Sequence, residues 1–222
     1  MSGWSGIGHA AGPDLDKALS QIDAAAAKFQ SAQASFVWDQ YEKVVEEHDT
    51  QSGTIYFDRK GTAGGGTIPS TWMAAHISKP DEKEVVYKNG ELQFFQPKID
   101  QITIFTAGVN RTQYESFLTL GFGGSGRDLA ANWEVTWQGT ETIAGTPTAK
   151  LDLVPKQDSV KKMFEHVTIW VDTSRAISLK QQFFEPSGDV RTATYSDIRY
   201  NSRVPGSAFE IKTSSKTQFV RK

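Results

Sequence analysis

Gly121-Phe122-Gly123-Gly124-Ser125-Gly126 spells G-x-G-x-x-G, the pattern that cradles a dinucleotide pyrophosphate inside a βαβ unit. That chemistry needs a strand before the glycines and a helix after them. Here Tyr114, Phe117 and Leu118 stand at helical spacing before the glycines, and strand-type alternation follows. The stretch therefore reads as a loop, with glycine enough to act as a hinge. Ser159-Val160-Lys161-Lys162 spells S-x-x-K, the acylating serine of penicillin-binding folds, but the Ser-Asp-Asn and Lys-Thr-Gly partners are missing. His9, His48, His76 and His166 are far apart and share no ligand spacing, and Glu46-Glu47-His48-Asp49 reads as a charged hairpin turn. The carboxylates fall mostly in turns, where no acid/base pair can be assigned. The expectation is a protein that is not an enzyme and holds no metal and no cofactor.

Composition removes further classes. None of the 222 residues is cysteine, which excludes a thiol nucleophile, a cysteine metal site and a disulfide framework. The 24 basic residues against 26 acidic ones leave no electrostatic footprint for nucleic acid. No apolar run approaches the ~18 residues of a membrane-spanning helix. The positive signal is aromatic: Trp38, Trp72, Trp133, Trp137 and Trp170 all stand in strand-like segments, with many phenylalanines beside them. Such residues fill a core or line a pocket for an apolar ligand, and composition does not separate the two.

The elements that must position them follow from periodicity. Met1–Gly12 is small-residue and glycine-rich, without a signal peptide, and is expected to be a flexible leader over residues 1–13. Leu15, Leu19, Ile22, Ala26 and Phe29 recur at helical spacing behind Asp14, a possible cap. Period-2 segments then run from Phe36 to Thr106, with Asn89-Gly90 as a hairpin turn. A helical stretch, Arg111–Leu120, interrupts them. Strands resume with Trp133, Val135 and Trp137 and continue through Val190–Arg199 and Phe209–Ile211. This predicts an α+β domain over 14–222, one antiparallel sheet of about eleven strands with helices as the minor partner.

Gly53–Lys60 (GTIYFDRK) and Lys79–Ile102 (KPDEKEVVYKNGELQFFQPKIDQI) resemble the bacterial lipoprotein carrier family, LolA. The first helix, Ala34-Ser35-Phe36, the turn Phe183–Asp189 and Pro205–Phe209 match it in order. Two departures stand out: Lys60 with the inserted Gly61–Gly66 replaces the family's proline after the strand-end arginine, and the second lid segment is short and leads to Gly121–Gly126 instead of more helix. The resemblance implies a curved, unclosed antiparallel half-barrel with a helical lid over an apolar concave face. It implies a monomeric periplasmic carrier that sequesters lipoprotein acyl chains and delivers them to the outer membrane. Its partners would be acylated lipoproteins, an inner-membrane release transporter and an outer-membrane receptor. An envelope sensory or structural module binding protein partners is the alternative use of such a fold, and a hydrolase is the rival from another class.

By position, Arg59 falls on the family's strand-end arginine, which implies a latch holding the lid through backbone carbonyls. Leu15, Leu19 and Ile22 match the apolar lid face of the first helix, and Phe117 and Leu118 a second lid segment. Trp38, Phe57, Trp72, Phe94, Phe105, Trp133 and Trp170 become candidates for the cavity wall. Which of them face inward stays open, because a shift of one residue in register exchanges the two faces.

Overall fold

The structure, a computed structural model, describes residues 12–222 apart from 63–68 and 107–119. Most of the leader, Phe117 and Leu118, and the helix expected over Arg111–Leu120 except Leu120 itself lie outside the described residues.

Helix α1 (Pro13–Ala26) starts with proline at its first turn, where a missing N–H costs nothing. Gly12, not Asp14, occupies the cap position; Asp14 and Asp16 sit in the first turn and complement the helix dipole. Leu15, Ala18, Ile22, Ala25 and Ala26 form its buried stripe. Strands β1 (Ser31–Glu42), β2 (Glu47–Thr62), β3 (Pro69–Lys79), β4 (Lys83–Lys88), β5 (Glu91–Gln96) and β6 (Gln101–Thr106) follow as a meander. A short helix, α2 (Gly126–Asn132), precedes β7 (Trp133–Ile143), β8 (Thr146–Pro155), β9 (His166–Asp172), β10 (Ile177–Phe184) and β11 (Val190–Tyr200), and β12 (Gln218–Arg221) closes the order.

The twelve described strands form one sheet in the order β12-β6-β5-β4-β3-β2-β1-β11-β10-β9-β8-β7. Its two edge strands, β12 and β7, are not paired to each other, so the sheet is curled but unclosed. Two expectations need correction. The turn after β1 is Lys43–Glu46, with Glu46 at φ 56°, so β2 begins at Glu47 rather than near Gly53. Phe209–Ile211 is not a strand: Gly206–Phe209 forms a 3₁₀ turn, and Ala208 and Phe209 are buried. They pack on Ala74, Val86, Tyr56 and Trp72 of the convex face. His76 and Lys88 hydrogen-bond the carbonyls of Ala208 and Phe209, which the sheet cannot reach. Having crossed that face, the chain reaches the far edge in the same direction as β6, so β12 pairs with it in parallel.

Leu120–Asn132, the glycine-rich crossing that leads into β7, packs with α1 on the inside of the sheet.

The β9–β10 turn helps to seat α1. Asp172 is buried at the turn and accepts hydrogen bonds from the Ser174 N–H and O–H and from Arg175 Nε, and Thr173 bonds Gln21 of α1. Burial alone would raise the Asp172 carboxyl, but these donors outweigh it and hold the group below its ordinary value. A depressed folded value means that its stabilisation is present above the unfolded value and is lost as pH falls through the folded one. Asp172→Asn should therefore cost about 2 kcal/mol at neutral pH, the scale of hydrogen bonds to a charged group. The cost should shrink toward zero in acid, and urea titrations of both proteins near pH 7 and pH 3 measure it.

Candidate functional site

Register decides which side chains share the inner face. Phe57 is opposite Ala32 on one side and Met73 on the other, Met73 is opposite Tyr87, Tyr87 opposite Leu92, and Leu92 opposite Phe105. A second row runs Ile55, Ala75, Val85, Phe94 and Thr103. A third joins Trp38 to Ala193, Gln181, Ile169, Leu151 and Trp137. Facing residues in a sheet share a side, so Trp38, Phe57, Phe94 and Phe105 point to the concave face.

Two of the candidate wall residues are elsewhere. Trp72 is opposite Asp58, one residue out of phase with Phe57, and packs on Phe209 of the convex face with Lys60 over its ring. Trp170 pairs with Lys150 and Lys180, donates its indole N–H to Glu141 and lies beneath both ammonium groups. Both indoles are therefore shielded by cations and polar neighbours on the outside, not by ligand space. Trp133 faces inward but packs with Leu15, Leu19 and Ile22 of α1 against β7, β8 and β9. Helix α1 thus covers one half of the concavity, leaving a void of about 40 Å³ near Trp133 and a largely polar groove of about 230 Å³ between Asp14–Gln21 and β7–β8.

The other half is not filled. A cavity of about 200 Å³ lies between β1–β5 and β10–β11, walled by Trp38, Ile55, Phe57, Met73, Val85 and Leu92. Its roof is the glycine-rich crossing. Phe122 descends from it and stacks on Phe57, ring centroids 4.2 Å apart and 13° from parallel, with Tyr195 edge-on at 4.9 Å. Phe122 is 2% exposed, so it occupies the inner space as a plug.

The backbone around the plug explains the glycines. Gly121 and Gly123 have φ of 76° and 75°, a left-handed conformation that favours glycine. A methyl group on Gly121 would collide with Ser178 and Gln181, and one on Gly123 with the Phe29 ring. Ser178 donates its N–H to the Gly121 carbonyl at 2.6 Å, and Gly123 donates to Ala176 at 2.9 Å, tying the loop to β10 and the turn before it. Beneath it Gln181 donates to the Leu120 carbonyl and accepts from the Tyr195 hydroxyl, both groups being buried. Burial pushes the Tyr195 phenol well above its ordinary value, so it stays a neutral donor. Ser125 and Asp128 then form a capping box that starts α2.

Arg59 joins the roof to the wall. It follows Phe57 by two residues on the concave side of β2, and its guanidinium reaches two carbonyls at once: Nη1 donates to Ala26 at 2.7 Å and Nη2 to Gly123 at 2.8 Å. The group lies 5.4 Å from the Phe29 ring centre. Burial pushes its pKa below the ordinary value, and nearby Tyr200 and Asp128 oppose that. One side chain therefore bridges the C-terminal end of α1, the plug loop and the strand that carries the cavity wall. Among the described residues, no group of three His, Cys, Asp or Glu side chains has the geometry to hold a metal ion.

The fold is the one that the resemblance implied, an open sheet with helices on its inside. The chain folds as an open half-barrel. Its architecture superposes on an uncharacterized conserved protein from Thermus thermophilus with a TM-score of 0.57, 10% identity, and coverage of 94% of this chain and 99% of that one. MucB superposes with a TM-score of 0.56 and 14% identity over 94% of this chain, which spans 66% of the MucB chain. MucB of Pseudomonas aeruginosa is also known in complex with MucA. A LolA superfamily protein from Nitrosomonas europaea superposes with a TM-score of 0.41 and 15% identity, over 89% of this chain and 97% of that one. A family profile described as an uncharacterized protein matches residues 123–218. No curated protein matches the sequence.

Sequence reasoning missed three members of this site. Phe122 was absorbed into a loop motif, Gln181 and Tyr195 into strands. Ser125 and Asp128 did carry a signal, the S-x-x-D spacing of a capping box, which marks a helix start where only glycine was noticed.

Proposed function

We propose that the concave cavity receives acyl chains of lipidated proteins and shields them during passage through the periplasm to the outer membrane. The observation that carries this reading is a mostly apolar cavity whose roof is a phenylalanine plug, its loop tied to β10 and bridged to α1 by Arg59. At about 200 Å³ it is smaller than the ~300–1,000 Å³ of ordinary ligand pockets, which matches a resting, closed state. Uptake then requires Phe122 and its loop to move out. The driving force is the acyl chain itself, at ~0.8 kcal/mol for each methylene removed from water. Weak closure suits a carrier, because the same contacts must be remade when the ligand leaves. Acylated lipoproteins are the proposed cargo, with an inner-membrane transporter as donor and an outer-membrane receptor as acceptor.

A second reading has its own support. MucB, which shares the fold, forms a complex with MucA, so the outer surface of this chain is open to a protein-partner role in the envelope. Mass spectrometry of the protein purified from an envelope fraction separates the two. Co-purified acyl species, displaced by a hydrophobic dye, are the expected result. A protein that is empty and also ignores the dye overturns the carrier reading in favour of protein recognition. Ester hydrolysis that disappears when one serine or histidine is replaced overturns both.

A further inference from the structure

The cavity is not uniformly apolar, and its polarity is arranged along its length. At the end nearer Arg59 it is closed by Phe122 against Phe57. Toward the β1–β2 and β10–β11 hairpin turns, the strand positions beyond Trp38 and Ala193 are Gln40 and Arg191, which are paired with each other, and Arg191 is paired in turn with Phe183 of β10. Arg191 belongs to the cavity wall, and its side chain is 43% exposed. A cation stands at one end of an apolar slot, where it is in reach of both the slot and water.

Its donors are only partly used. Nε donates to Gln40 Oε1 at 2.9 Å, which fixes the plane of the guanidinium. Nη2 makes one long contact, 3.5 Å, with Glu185. No described residue accepts a hydrogen bond from Nη1. A guanidinium held in plane with an open edge suits a carboxylate or phosphate, which it binds through paired, charge-assisted hydrogen bonds. Volume sets the other half of the ligand: the resting space of about 200 Å³ grows only as Phe122 withdraws, and a single chain is the smallest ligand that such an opening admits.

We infer that the cavity binds a single-chain amphiphile with an anionic head, its chain against Trp38 and Phe57 and its head on Arg191. This rests on the acyl-cavity reading above and narrows it to a head-group class and a chain number. A free fatty acid and a lysophospholipid share that chemistry, and the experiment distinguishes them.

The test uses the full chain, stripped of lipid, with displacement of a neutral naphthylamine dye as the readout. The probes are myristate, myristyl alcohol and 1-myristoyl lysophosphatidic acid. At least one of the anionic probes should bind about tenfold more tightly than the alcohol, which corresponds to ~1.4 kcal/mol. Whichever anion is favoured identifies the head as carboxylate or phosphate. Arg191→Gln should bring that probe to parity with the alcohol and leave the alcohol's own affinity unchanged, and Arg191→Lys should restore part of the preference. Equal binding of all three probes by the wild type overturns the head-group assignment, as does a preference that survives Arg191→Gln. In both cases the cavity still takes acyl chains. Failure of every probe to displace the dye, alcohol included, overturns the acyl-cavity reading itself. The wild-type comparison stands even where a variant does not fold.

Discussion

Arg59→Leu is expected to destabilise the protein by about 3 kcal/mol, from two charge-assisted hydrogen bonds at ~1.5–3 kcal/mol each, discounted for partial exposure. The loss falls on a particular joint. Without the guanidinium, the Ala26 and Gly123 carbonyls keep their half-buried positions but lose their donor. Leucine fills much of the same volume, so the wall is not emptied and the change is one of polarity. The cheapest relief is for the plug loop to lift and hydrate its carbonyls, which uncovers Phe57 and Phe122. Binding of a hydrophobic dye should therefore rise well before the urea midpoint. In the carrier reading the variant still takes up acyl chains but passes them on poorly, because closure no longer helps to expel them. Uptake and transfer to acceptor membranes measure the two halves. Wild-type dye binding together with unchanged transfer would reduce Arg59 to a structural contact.

Arg59 is legible only through the family resemblance, since on residue pattern alone an arginine near the end of GTIYFDRK reads as an exposed strand charge. The sheet is legible in the residues themselves, since period-2 alternation is written locally and the Asn89-Gly90 turn announces its hairpin. What could not be read was anything set by long-range packing. Trp72 and Trp170 are as strand-like as Trp38, but the face each presents depends on pairing with β2 and β10 respectively. Their cover of lysines and the C-terminal segment comes from far along the chain. The parallel β12 belongs to the same class. Its direction follows from the path of residues 204–211 over the convex face, for which four residues of strand propensity contain no instruction. Phe122 hid for another reason: its helical spacing from Tyr114 and Leu118 breaks off among glycines, and only the left-handed turns at Gly121 and Gly123 aim it inward.

Phe122→Ala should move stability and binding in opposite directions. Removing a buried phenylalanine costs ~3–5 kcal/mol when the site cannot collapse. Collapse is resisted here, because the loop is pinned on both sides of the plug by Ser178, Ala176 and Arg59. The ring's volume therefore joins the existing cavity and is lined by Phe57, Tyr195 and Leu120. For an acyl chain the consequence is favourable. In the wild type the ligand must first displace a well-stacked ring, so its apparent affinity is reduced by the small fraction of molecules with the plug out. In the variant that competition is gone, and affinity for a single-chain probe should rise at least about tenfold, which recovers only part of the ring's stacking energy. Saturating ligand should then restore much of the lost stability, ~2.7 kcal/mol at a hundred times the dissociation constant. Calorimetry with and without myristate reads both effects in one protein. Phe122→Leu, which keeps most of the volume, should lie between the two. If Phe122→Ala loses stability and gains no affinity, the ring is core packing, and the ligand route into the half-barrel does not pass beneath the glycine loop.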